Sequence, residues 1–148
     1  MYTSTLNLEH YRVSPEDQQA MFCIAHWITN NRRSVKKIRQ LAGTEECYML
    51  IIREIDRLES QLTKARYLQA EATLTLIEWL DTLHQFHWQC AYCGERPFQV
   101  MSHVTPLPAG GTTVDNCVPA CYPCIRHKRK DNPHTSAYLA HIKRRCPE

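Results

Sequence analysis

Cys90-Ala91-Tyr92-Cys93-Gly94 and Cys121-Tyr122-Pro123-Cys124 are the two stretches that decide how this chain is read. Two residues between paired cysteines let both thiolates reach one ion from a tight turn. Four thiolates close a tetrahedron with metal–sulfur bonds of ~2.3 Å. Gly94 supplies the positive backbone angle that such a turn often needs. A shell closed by Cys90, Cys93, Cys121 and Cys124 leaves no place for water, so the expected ion is a structural zinc. A terminal segment of about 60 residues is marginal without such a staple.

The rest of the composition agrees with an intracellular metal site. The chain has 148 residues and eight cysteines. Met1 to Glu9 show no basic region followed by an apolar stretch, so the expected location is cytoplasmic and paired cysteines favour metal over disulfides. No apolar run approaches the ~18 residues of a bilayer span, which argues against a membrane partner. Cys23, Cys47, Cys117 and Cys146 lack ligand-like spacing and read as small buried or surface thiols. The net charge of +3 is unevenly spread: residues 1–88 carry 10 basic and 11 acidic side chains, and residues 89–148 carry 8 and 4. The positive end also holds both cysteine pairs, a distribution compatible with a nucleic-acid partner.

Before the first pair the pattern is helical. Ser14-Pro15-Glu16-Asp17 reads as a cap, a first-turn proline and first-turn acids. Met21, Ile24, Ala25 and Ile28 then recur at helical spacing, to a stop at Asn30-Asn31. A short basic helix covers 34–42 and ends at Gly43. Glu45 and Glu46 would repel phosphates, so a three-helix bundle is preferred to a DNA-reading helix-turn-helix. A long helix is expected from Glu45 to Leu68. Its Tyr48, Ile51, Ile55, Leu58, Leu62 and Ala65 make an a/d seam of about three heptads. The seam suits either a helical hairpin within one chain or a coiled-coil homodimer through residues 48–65. Thr75-x-x-Glu78 is a capping box for a helix over 76–86. The expected organisation is a helical N-terminal region, 1–70, and a zinc domain, 71–148.

Between the pairs stand His103, Pro106-Leu107, Gly110-Gly111-Thr112 and the run Asp115-Asn116-Cys117-Val118-Pro119-Ala120-Cys121, with Lys128 after Cys124. In this order, residues 71 to about 145 resemble the HNH endonuclease family in its form with two zinc knuckles. The resemblance implies a ββα-metal fold: strands over 98–104 and 114–118, then a helix from Tyr122 to Lys130. The expected fold class is therefore mainly α with a small α+β part. The resemblance also implies that His103 is the general base for water attacking a DNA phosphodiester, with Asn116 holding the strands and orienting the His103 loop. It implies catalytic magnesium or manganese as well.

Two residues depart from the family pattern. Ser102 stands where a metal-binding Asp or His usually precedes the histidine, and Ile125 stands where an Asn or His ligand usually follows. Neither is a good ligand for a hard cation. Arg126, Lys128, Arg129 and Lys130 follow the second pair, where the family's helix approaches DNA; they would contact phosphates of a double-stranded partner. The expected function is metal-dependent DNA cleavage, weakened or lost through Ser102 and Ile125. The alternatives are a catalytically inactive nucleic-acid-binding module and a coiled-coil interaction protein.

Overall fold

Four side-chain hydroxyls start four helices in the computed structural model, which describes residues 13–31, 33–127 and 132–145. These helices are α1 (Pro15–Asn30), α2 (Val35–Ala42), α3 (Glu45–Tyr67) and α4 (Leu76–Gln85). Ser14 Oγ accepts the Asp17 N–H at 3.1 Å, Ser34 Oγ accepts that of Lys37 at 3.3 Å, and Thr44 Oγ1 accepts that of Cys47 at 3.1 Å. At α4 the box closes both ways. Thr75 Oγ1 accepts the Glu78 N–H at 3.2 Å, and Glu78 Oε1 accepts the Thr75 N–H at 3.0 Å. Each cap satisfies a donor that the helix leaves orphaned, worth about 1 kcal/mol.

The α3 stripe lies inside the chain. Tyr48, Ile51, Ile55, Leu58 and Ala65 are buried. All of these but Ala65 share one core with Met21, Ile24 and Ala25 of α1, Ile38 of α2 and Trp79, Leu80 and Leu83 of α4, with Leu62 partly buried against it. The heptad periodicity is thus the apolar face of a helix packed against its own neighbours.

After α4 the chain turns sharply through two left-handed residues, His87 (φ 55°) and Trp88 (φ 61°). It then enters an antiparallel ribbon of β1 (Val100–His103) and β2 (Cys117–Ala120), whose pairs are Val100–Ala120, Met101–Pro119, Ser102–Val118 and His103–Cys117. Successive side chains on a strand face opposite ways. Met101 and Cys117 accordingly join the helical core. Val100, Val118 and Ala120 join a second cluster with Phe86, Tyr92 and the paired cysteines. A short helix α5 (Tyr122–Arg126) and a last helix α6 (Pro133–Arg145) complete this second layer. The Thr135 hydroxyl donates to the Ala91 carbonyl, Asn132 Nδ2 donates to that of Tyr92 at 2.8 Å, and the Tyr138 ring meets Phe86 edge-on at 5.0 Å.

The architecture is therefore mainly helical with one small two-stranded sheet. The second strand begins later than the expected 114–118. Asn116 N–H donates to Thr113 O at 3.1 Å and Thr113 Oγ1 donates to Asp115 Oδ1 at 2.6 Å, which makes 113–116 a turn. No helix among the described residues is long and apolar enough to cross a membrane.

One buried carboxylate ties the helices to the ribbon. Glu54 of α3 is 2% exposed. Its Oε1 accepts from Arg57 Nε at 2.9 Å and from Trp79 Nε1 of α4 at 3.0 Å. Arg57 also donates from Nη1 to Gln99 O, just before β1, at 2.7 Å, and its guanidinium lies 5.0 Å from the centre of the Phe98 ring. Removing one member of such a group strands the others in the core. Glu54→Ala is expected to cost roughly 3–5 kcal/mol in denaturant unfolding. Trp79→Phe, which deletes one donor and keeps most of the ring, is expected to cost less, roughly 1–2 kcal/mol.

Candidate metal centre and the His103 face

The four paired cysteines converge. Cys90 and Cys93 sit on a turn in which Gly94 N–H donates to Cys90 O at 2.8 Å, with Gly94 at φ +70°. The same turn is pinned to the ribbon: Ala91 N–H donates to Pro119 O at 2.7 Å. Cys121 follows β2 as the N-terminal flank of α5, and Cys124 lies inside α5. The four Sγ atoms all lie within 4.8 Å of one another, and those of Cys93 and Cys121 are 3.9 Å apart. A tetrahedron with ~2.3 Å bonds has edges of ~3.8 Å, so the sulfurs already sit near ligand spacing.

Cys90, Cys121 and Cys124 are buried and Cys93 is half-buried. Burial pushes the Cys90 thiol up. It also opposes ionisation of Cys93, but the backbone N–H groups of Glu95 and Arg96 lead the contributions that outweigh it and bring that thiol down to about 7. Packing four thiolates together needs a cation as counter-charge. An all-sulfur, closed donor set suits one structural ion such as zinc. The other described cysteines stay outside the cluster. Burial, then Asp17, pushes Cys47 up to about 11, and burial pushes Cys117 up to about 12, so both remain thiols at neutral pH. Cys23 is exposed, and Cys146 lies outside the described residues.

His103 ends β1 on the helical side of the ribbon. Its Nε2 is 2.9 Å from Thr112 Oγ1, and that hydroxyl donates to Gln61 O of α3 at 3.3 Å. Asn116 clamps the loop between the strands. Its Oδ1 accepts from Thr105 N–H at 2.8 Å, while Nδ2 donates to Thr105 O at 2.9 Å and to Gly111 O at 2.8 Å. Two carbonyls and one N–H fix the amide's orientation. Gly110 is confined by the same clamp: a Cβ there would lie 2.6 Å from Asn116 Nδ2 and would also collide with Thr105 O. An open cleft of about 580 Å³ lies beside the clamp, lined by Glu71, Thr105, Gly110, Asp115, Asn116 and Lys143 among others, but not by His103.

Ser102 points the other way. It is 5% exposed, and its Oγ is 2.9 Å from the Tyr92 hydroxyl inside the cysteine-side core. Ile125 is a half-buried hydrocarbon packed against the same core. The two positions therefore offer no carboxylate, amide or imidazole, and the residues present do not fit a magnesium or manganese site of the resembled kind. Arg126 is exposed on α5. Lys128, Arg129 and Lys130 lie outside the described residues. Sequence reasoning did not single out Thr112 or Tyr92 as partners of the histidine and the serine. Thr112 stands in the Gly110-Gly111-Thr112 run and Tyr92 inside the first cysteine pair, but a long-range hydroxyl contact leaves no periodicity that would name its partner.

Purified, reduced protein is expected to carry about one zinc per chain by elemental analysis. Cys124→Ser should abolish it and Cys23→Ser should not. Removal of the ion by a chelator should speed hydrogen exchange at the β1–β2 amides, because the cluster covers one face of the ribbon. Comparison with protein-family models, with curated proteins and with solved structures finds no match to this chain, so the likeness to the HNH family rests on its own residues.

Proposed function

We propose that residues 71–145 act on DNA as a zinc-stabilised, HNH-like domain in which His103 serves as general base for phosphodiester hydrolysis. One observation carries the reading: a histidine at the end of β1 faces a loop whose shape is set by the Asn116 amide, on a ribbon joined to a four-sulfur cluster and a short helix. That combination matches the ordered motif residues in the sequence. In this reading His103 takes a proton from the water whose oxygen attacks phosphorus, the P–O bond to the leaving oxygen breaks, and that oxygen picks up a proton. The exposed Arg126 and the basic residues after it would hold the phosphate backbone.

A second reading is a module that binds DNA without cutting it. Ser102 favours it, because that side chain is committed to Tyr92 rather than presented beside His103, and so does the hydrocarbon at Ile125.

Plasmid nicking with magnesium or manganese decides between the two. A nuclease is expected to nick, and His103→Ala to lower the rate by at least ~100-fold. A binding module is expected to retard DNA without cleavage, with affinity falling as salt rises and Arg126→Ala reducing the salt slope by about 1. No cleavage combined with no retardation would dismiss both.

A further inference from the structure

We propose that Cys93 is a peroxide-sensitive modification site: its sulfur is oxidised before those of the other three ligands, Cys121 captures it as a disulfide, and the bound ion is released. The proposal rests on the four-cysteine centre and involves no DNA.

The four sulfurs are not equally covered. Cys90 is 1% exposed, and Cys121 and Cys124 are 0% exposed. All three lie inside the cluster built with Phe86, Tyr92, Val118 and Ala120. Cys93 is half-buried and packs against the edge of that cluster. The chain just beyond it leaves the approach open. Gly94, Glu95 and Arg96 are exposed, and a Cβ added at Gly94 would meet nothing within 4 Å. A small polar oxidant thus reaches Cys93 with the core closed, whereas the other three sulfurs require the core to open. Oxidation of cysteine follows access of this kind.

The geometry also names the partner. Cys93 Sγ and Cys121 Sγ are 3.9 Å apart. A closure of ~2 Å brings them to the length of a disulfide bond. Cys90 Sγ is engaged elsewhere, because it accepts the Tyr92 N–H at 3.4 Å. Cys93 belongs to the turn that follows Cys90, and Cys121 flanks α5. The disulfide therefore joins the same two segments that the ion would join.

A cysteine that ligates a metal is held as its thiolate. The Cys93 sulfur attacks one oxygen of hydrogen peroxide, the O–O bond breaks, and a sulfenic acid and hydroxide result. The Cys121 thiolate then attacks the Cys93 sulfur, the S–O bond breaks, and a second hydroxide leaves. Two thiolates have given up two electrons to one peroxide. Cys90 and Cys124 remain, and two sulfurs do not close a tetrahedron, so the ion departs. Thiol–disulfide exchange with a reductant reverses the step.

The test titrates the full, reduced, zinc-loaded chain with hydrogen peroxide. Zinc release is followed with a colorimetric chelator, and disulfides are mapped by peptide mass spectrometry after free thiols are blocked. Release of about one zinc per chain is expected, in step with a Cys93–Cys121 disulfide. Dithiothreitol and added zinc should restore both. Cys23 is exposed and outside the cluster, so it serves as a reference thiol, and Cys23→Ser should leave the release curve unchanged. Any other first oxidation product among the four ligands would overturn the proposal. So would full retention of zinc after Cys23 has been oxidised. If the reduced protein holds no zinc, the reading of the metal centre fails, and the same mapping still decides whether Cys93 and Cys121 pair first.

Discussion

A ribbon of four residue pairs has no stability of its own in water, so both its faces must be covered. This requirement organises the molecule. Side-chain alternation sends Met101 and Cys117 into the core built by α1–α4, and sends Val100, Val118 and Ala120 into the core built around the paired cysteines. The two covers differ in kind. The helical cover is a broad apolar surface with Trp79, Ile51 and Met21 fully buried. The other cover has a five-residue helix, one further helix and a few aromatic rings. So little apolar material covers a strand poorly, and a metal ion held among the four sulfurs would supply the missing cohesion.

The same division explains why the helices matter to the histidine. His103 belongs to the helical face, where its partner Thr112 is bonded to Gln61 of α3. Arg57, also on α3, reaches the strand just upstream of β1 through Gln99. The loop residue beside the imidazole is thus tied to α3 as well as to its own hairpin. Asn116 contributes from within the loop, spending its whole amide on Thr105 and Gly111.

Much of this was legible in the sequence. The caps at Ser14 and Thr75 and the glycine stop after α2 are local features, decided within a few residues, and the helices begin and end where those residues direct. The cysteine pairs were legible because metal geometry imposes a spacing. The second strand was not placed correctly. The run from Val114 to Val118 looks extended, but Thr113, Asp115 and Asn116 bond among themselves and hold a turn until Cys117. Glu54 was hidden for a different reason. A glutamate on an otherwise amphipathic helix reads as surface, and only the approach of Arg57 and Trp79 from separate turns and helices makes its burial tolerable. Long-range polar partnerships carry no periodicity, so they escape pattern reading while caps and knuckles do not.

The side-by-side commitments of Ser102 to Tyr92 and of His103 to Thr112 bear on how this hairpin can diverge over generations. Gaining or losing one amino acid between Val100 and Ser102, inside β1, would turn the later side chains of the strand to the opposite face. Imidazole would then enter the sulfur side, and the serine would meet α3. Length variation is therefore barred inside β1, whereas the connections on either side of it lie beyond the paired strand and escape that constraint except where Thr112 and Asn116 must keep their reach.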